Sequence, residues 1–144
     1  MPRSDGRRWA APIFRIEKRY IDEMTAHARE EAPKECCGIL AGKDGRILQL
    51  YRATNAEQSR YRYEVDSGEL FRIHRECEER GWEFVGIYHS HIDSEAYPSP
   101  TDIRLAFWPE ALYFLVSLRD SESPAVRAYR IVDGQVSEEE LEII

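Results

Sequence analysis

Long apolar runs are missing from this chain. No stretch approaches the ~18 to 20 apolar residues that a membrane-spanning helix needs. The first 20 residues also lack the apolar segment of a secretory signal, so a cytoplasmic protein with no membrane partner is expected. Cysteine is scarce, with only Cys36, Cys37 and Cys77. Three thiols cannot all pair within one chain and an adjacent pair is a poor start for a disulfide framework, so reduced cysteines are expected. Positive charge is also in short supply. Lys and Arg number 20 against 27 Asp and Glu, a net charge of −7, and such a surface repels phosphate backbones, which argues against nucleic acid as a partner. The most basic stretch, Arg3, Arg7 and Arg8 beside Gly6, reads as part of a flexible tail over residues 1–11 and not as a binding arm. Internal repeats are absent, and the only biased segment is the run of three glutamates at 138–140, read as a solvated surface.

What is present suits one folded domain. The 144 residues, 42% hydrophobic and 11% aromatic, can bury roughly two-thirds of the surface of the unfolded chain. Residues 13–16 alternate like a strand, and 18–31 follow with Ile21, Met24 and Ala28 at helical spacing until Pro33. The apolar run 36–41, the turn Lys43-Asp44-Gly45 and the segment 46–53 read as a β-hairpin. A polar loop is expected over 54–60 and a strand over 61–65. Asp66 or Ser67 then caps a helix reaching Arg80, and a buried strand runs over 82–89. A helix over 101–108 and strands over 111–118 and 125–132, the last ending at Asp133-Gly134, complete an α/β chain with no linker to divide it.

The chemistry gathers where the strand over 82–89 ends. His89 and His91 are two residues apart, so on a strand both imidazoles point to one side and can face one ion. An isolated HxH is also what a pair of half-buried histidines looks like. Asp102, eleven residues after His91, can fold back to complete a two-histidine, one-carboxylate set with a fourth position left for water. Zinc suits such ligands in a tetrahedral arrangement, and iron in a facial triad uses the same residue types. Asp102 has a competing reading, because Ser99-Pro100-Thr101-Asp102 is also a helix-capping signature. Glu35, just before the first hairpin strand, gains no status from spacing alone, although a metal-bound water needs some nearby base.

Taken together, Glu35 before a Cys-Gly pair, His89-Ser90-His91, and Ser99-x-x-Asp102 with seven residues between His91 and Ser99 resemble the full motif of the JAMM/MPN+ metallopeptidases. The resemblance implies an α/β (α+β) fold, a mixed sheet flanked by helices with cytidine-deaminase-like architecture, occupying residues 12–144. It implies one zinc ion on His89, His91 and Asp102 with a water as fourth ligand, Glu35 as general acid/base and Ser99 as oxyanion donor. A narrower similarity rests on Thr54 to Glu57, Asp66 to Glu69, residues 88–91, 95–99, Thr101-Asp102 and 129–134. It points to the bacterial family members that hydrolyse the amide bond between the C-terminal glycine of a small ubiquitin-like sulfur carrier protein and cysteine. A Gly-Gly tail lying as an added strand between loops 55–60 and 92–98, and a possible homodimer, come with it.

Three other readings remain at this level. The protein is alternatively a broader isopeptidase of ubiquitin-like tails, or a non-catalytic carrier-binding module with a closed structural metal site, for which Cys77 would be the fourth ligand. A cysteine hydrolase built on Cys36 or Cys37 is the third, whereas a zinc deaminase lacks its required PCxxC pair.

Overall fold

A computed structural model describes residues 14–144; the tail expected over 1–11 and the start of the first strand lie outside them. Strand β1 (Phe14–Ile16) leads into helix α1 (Lys18–Glu31), which ends where the periodicity and Pro33 place its end. Strands β2 (Cys37–Lys43) and β3 (Arg46–Ala53) form the expected hairpin. Its two-residue turn sets Asp44 at φ 52° and Gly45 at φ 77°, the left-handed pair that matches the twist of the flanking strands. Helix α2 (Ser67–Arg80) starts at Asp66, whose side chain accepts from the Glu69 amide. It closes on Gly81, held in the left-handed conformation that glycine adopts without steric cost. Strand β4 (Glu83–His91), helix α3 (Pro100–Arg104) and strands β5 (Leu112–Ser117), β6 (Ala125–Val132), β7 (Gln135–Glu139) and β8 (Leu141–Ile143) follow.

The eight strands form one mixed sheet in the order β7-β6-β5-β4-β2-β3-β1-β8. Strands β7 and β8 stand at its two ends, yet only Glu140 separates them in the chain. Two peptide steps reach about 7 Å, so the sheet curls enough to bring the end of β7 and the start of β8 within that span. Helix α1 packs on one side, its Tyr20, Met24 and Ala28 buried against Leu40, Tyr88, Phe114 and Ala128. Helix α2 covers the other, placing Ile73 and Cys77 against Ile39, Ile87 and Tyr113. The expected mixed α+β single domain is therefore present.

Three segments depart from the sequence reading. Residues 61–65 form no strand and make only a single bridge, Asn55 to Val65. No neighbouring strand offers them a ladder, and Tyr61 stays exposed while Tyr63 turns inwards. Helix α3 is five residues long and does not reach Trp108. The glutamates at 138–140 are not merely solvated surface: Glu138 and Glu139 lie in β7, where Glu138 pairs with Arg127 at 3.0 Å.

Candidate metal centre

Strand β4 sits at the middle of the sheet, antiparallel to β2 and parallel to β5, and is buried from Val85 to His91. Alternation sends Tyr88 and Ser90 towards α1, and Ile87, His89 and His91 towards the α2 side. The strand runs two residues further than the apolar pattern implied, so both histidines are fixed by sheet hydrogen bonding and not by a loop. His89 and His91 are 1% and 4% exposed.

Asp102 reaches them from α3. Its backbone N–H donates to Ser99 Oγ at 3.0 Å, and its Oδ2 accepts from the Ser99 N–H at 2.9 Å, a complete capping box with Pro100 at the helix start. The same Oδ2 lies 3.1 Å from His89 Nε2 and 2.9 Å from His91 Nε2. The capping and ligand readings are thus compatible, because the cap is what aims the carboxylate. Among the described residues this is the one group of three or more His, Cys, Asp or Glu whose donor atoms converge as a metal site requires.

The donor set fits a cation. His91 Nδ1 lies 2.9 Å from the Glu95 carbonyl oxygen, which can only accept, so Nδ1 carries the hydrogen. Nε2 of the neutral ring then presents a lone pair to the Asp102 carboxylate. Two lone-pair-bearing groups held this close in a buried place need a proton or cation between them. A tetrahedral zinc with ~2.0 Å bonds has ligand-to-ligand edges of about 3.3 Å, within a few tenths of an ångström of the separations here. Burial pushes the Asp102 carboxyl up, but the two imidazoles and the Ser99 amide outweigh it and hold the group well below the usual carboxylate range. Burial drives His89 down, whereas His91 is raised because Asp102, the Glu95 carbonyl and Glu35 outweigh its burial.

Glu35 comes in from the neighbouring strand. Cys37 pairs with His89 across β2 and β4, and one step further the Cys36 N–H donates to Ser90 Oγ at 2.8 Å while the Ser90 N–H donates to the Cys36 carbonyl at 3.2 Å. That register sets Glu35 beside His91, 3% exposed, with Oε1 buried and lacking any hydrogen-bond partner. Burial raises its carboxyl to about 8, with His91 opposing and Asp102 adding to the shift. A cation on the three donors would draw it back down. Such a carboxylate can take up and release a proton near neutral pH. Ser99 uses its Oγ as an acceptor in the cap, which leaves its hydroxyl proton free to donate. The site therefore combines three converging donors, a buried acid and a spare hydroxyl donor.

Other features went unread in the sequence. Tyr63 stacks on His89 with ring centroids 4.1 Å apart and planes at 19°; it is hidden by a segment that alternates like a strand. A cavity of about 390 Å³ opens beside Asp102, lined by Tyr63, Val65, Leu70, Leu105 and Trp108 among others. Loop 55–60 contributes Glu57 to it and the α3–β5 connection contributes Leu105, Phe107 and Trp108, whereas Glu95, Ala96 and Tyr97 of loop 92–98 line a separate cavity. Those two loops meet instead through Arg60 and Asp93, 2.5 Å apart. All three cysteines are free and buried. Burial lifts the Cys36 thiol to about 12 and Cys37 higher still, which removes the thiolate that a cysteine hydrolase needs. Cys77 packs in the α2 cluster, outside the converging donor group. No helix of the described residues is long and apolar enough to cross a membrane.

Comparison with known proteins agrees with the geometry. The chain is 45% identical over 134 residues to the CysO-cysteine peptidase of Mycobacterium tuberculosis, covering 92% of each. It is 40% identical over 103 residues to a desampylase of Haloferax volcanii, covering 67% of this chain and 74% of that one. The solution structure of a Desulfitobacterium hafniense protein superposes with a TM-score of 0.84 at 33% identity, covering 92% of this chain and 93% of the other. The prokaryotic homologs of the JAB domain match residues 17–132, and the chain belongs to that family.

Proposed function

We propose that the protein is a zinc metallopeptidase that hydrolyses the amide bond between the C-terminal glycine of a small ubiquitin-like sulfur carrier and cysteine. The observation that carries this reading is the convergence of His89, His91 and Asp102 beside a buried, unpartnered Glu35. The 45% identity to a CysO-cysteine peptidase supports the substrate. His89 Nε2, His91 Nε2 and an Asp102 carboxylate oxygen would hold the ion. Three protein donors are the count of a catalytic site, where a structural site closes all four positions. Bound zinc supplies Lewis acidity and water of lowered pKa.

The chain's own groups do the rest. Glu35 takes the proton of the attacking water on its carboxylate and returns it to the departing amine. The Ser99 hydroxyl donates to the oxygen that becomes negative as the carbonyl turns tetrahedral. The His91 Nδ1 bond to the Glu95 carbonyl keeps that ring in the tautomer the site needs. The cavity beside Asp102, apolar along Val65, Leu70 and Trp108, receives the carrier's tail, whose glycines are thin enough to approach the reacting centre.

The similarity to a desampylase favours a second reading, a wider isopeptidase of ubiquitin-like tails. One experiment separates them: zinc-loaded protein is incubated with carriers ending in Gly-Gly-Cys and with the same tail joined to a lysine side chain, and the products are weighed. Loss of cysteine from the first alone establishes the proposal. Release of lysine at a comparable rate establishes the wider activity, and two intact substrates refute both.

A further inference from the structure

We infer that Asn55 is a positioning residue for Glu35, fixing the acid's main chain to the loop that lines the cavity; the inference rests on the role proposed above for Glu35. Asn55 is 6% exposed and uses every hydrogen-bonding capacity of its amide. Nδ2 donates to the Glu35 carbonyl at 3.0 Å and to the Arg62 carbonyl at 3.1 Å. Oδ1 accepts from the Glu57 N–H at 2.9 Å and the Glu64 N–H at 3.0 Å. Two donors and two acceptors are all that a carboxamide offers.

The arrangement matters because of what lies at its ends. Glu35 precedes β2, so although the strand register places it beside His91, no neighbouring strand bonds its own N–H and carbonyl. Its N–H donates to the Ser59 carbonyl at 2.8 Å, and its carbonyl is held by Asn55. Both main-chain groups of the acid are thus gripped by the segment between β3 and α2. The other side of that segment supplies Glu57, Arg62, Tyr63 and Glu64 to the cavity, and its Tyr63 stacks on His89. Asn55 is the joint that ties the acid's main chain to the tail-side wall. Its action on the reaction runs through Glu35, whose carboxylate must meet the attacking water within a few tenths of an ångström.

The test uses the zinc-loaded full chain and a carrier ending in Gly-Gly-Cys. Asn55→Ala and Asn55→Asp are compared with wild type, Asn55→Asp keeping the acceptor for the loop amides while losing the donors to Glu35 and Arg62. The expected result is a fall in kcat between about ten- and a hundredfold, with KM and bound zinc within about twofold. In a Glu35→Gln background, adding Asn55→Ala should reduce the residual turnover no further, since the group it positions is already gone. Wild-type kcat in a folded Asn55 variant overturns the inference, as does an equal loss in both backgrounds. Should both variants fail to fold, the wild-type protein still decides: a scalar coupling across the hydrogen bond from Asn55 Nδ2 to the Glu35 carbonyl carbon is expected by NMR, and its absence overturns the inference. Wild-type turnover in Glu35→Gln would instead sink the proposed role of Glu35 itself.

Discussion

Glu35 is a carboxyl held where it is costly to ionise. Replacing it by glutamine keeps the side chain's shape, so Glu35→Gln is expected to bind zinc normally yet lose at least about a hundredfold in turnover, checked by elemental analysis beside steady-state kinetics. Its burial has a consequence without metal too. The carboxyl is raised from an ordinary glutamate's 4.5 to about 8 in the folded protein, so between those values the folded state binds more protons than the unfolded one. Stability must then fall as pH rises through that window. In chelator-treated protein, Glu35→Gln should be about as stable as wild type near pH 4.5 and more stable at pH 8, by an amount on the order of a few kcal/mol at most. Urea denaturation at several pH values measures this, and a gain that does not grow with pH would contradict it. His89→Ala and Asp102→Ala should each lower bound zinc, and Asp102→Ala should also cost about 1 kcal/mol through the lost bond from the Ser99 N–H, while the Ser99 cap itself remains.

These site residues were legible because strand alternation places residues two apart on one side, which His89 and His91 obey. Spacing left Asp102 open between a cap and a ligand, and only the resemblance chose the ligand, since nothing local says which way a loop folds back. Tyr63 was not legible as part of the site, and Asn55 was legible only as the start of a wall loop and not as an anchor, because their partners, His89 and Glu35, are distant in the chain.

At the scale of elements, local signals sufficed where the chain makes its own decision. Asp44-Gly45 turned the hairpin, Asp66 and Gly81 bounded α2, and Pro33 marked the end of α1. They failed where a neighbour decides. Strands β7 and β8 exist because β6 and β1 accept them, and their acidic, mostly exposed residues carry no strong strand pattern. Close packing of β2 on β4 yields a prediction here. A Cβ at Gly38 would sit 2.1 Å from Tyr88 Cε2 and 2.5 Å from the Tyr51 carbonyl oxygen. Gly38→Ala must therefore push apart the strands that hold Glu35 beside His91, and a loss of about 1–3 kcal/mol or more is expected by thermal or urea denaturation. An unchanged midpoint would mean that the two strands do not meet as described.

For the whole molecule, the sheet order joins residues far apart in sequence, with the first and last strands paired at one end. Periodicity says nothing about such pairings, so the sequence alone conveyed the fold class and the motif's resemblance supplied the architecture. The topology brings the end of β4, the approach to β2 and the start of α3 together, and an ion held as proposed would link the last of these to the sheet. Removing metal with a chelator should abolish hydrolysis and lower Tm in proportion to the lost binding free energy. Far-ultraviolet circular dichroism should change little, because the core on either side of the sheet does not include the donors. Collapse of the dichroism would assign the metal to folding instead of chemistry.

The most direct measurement is an anomalous difference map from crystals of the zinc-loaded protein, collected across the zinc absorption edge. The account predicts one peak about 2.0–2.2 Å from His89 Nε2, His91 Nε2 and an Asp102 carboxylate oxygen, with the Glu35 carboxylate turned towards it. A peak elsewhere, or none with the three side chains in place, would contradict it.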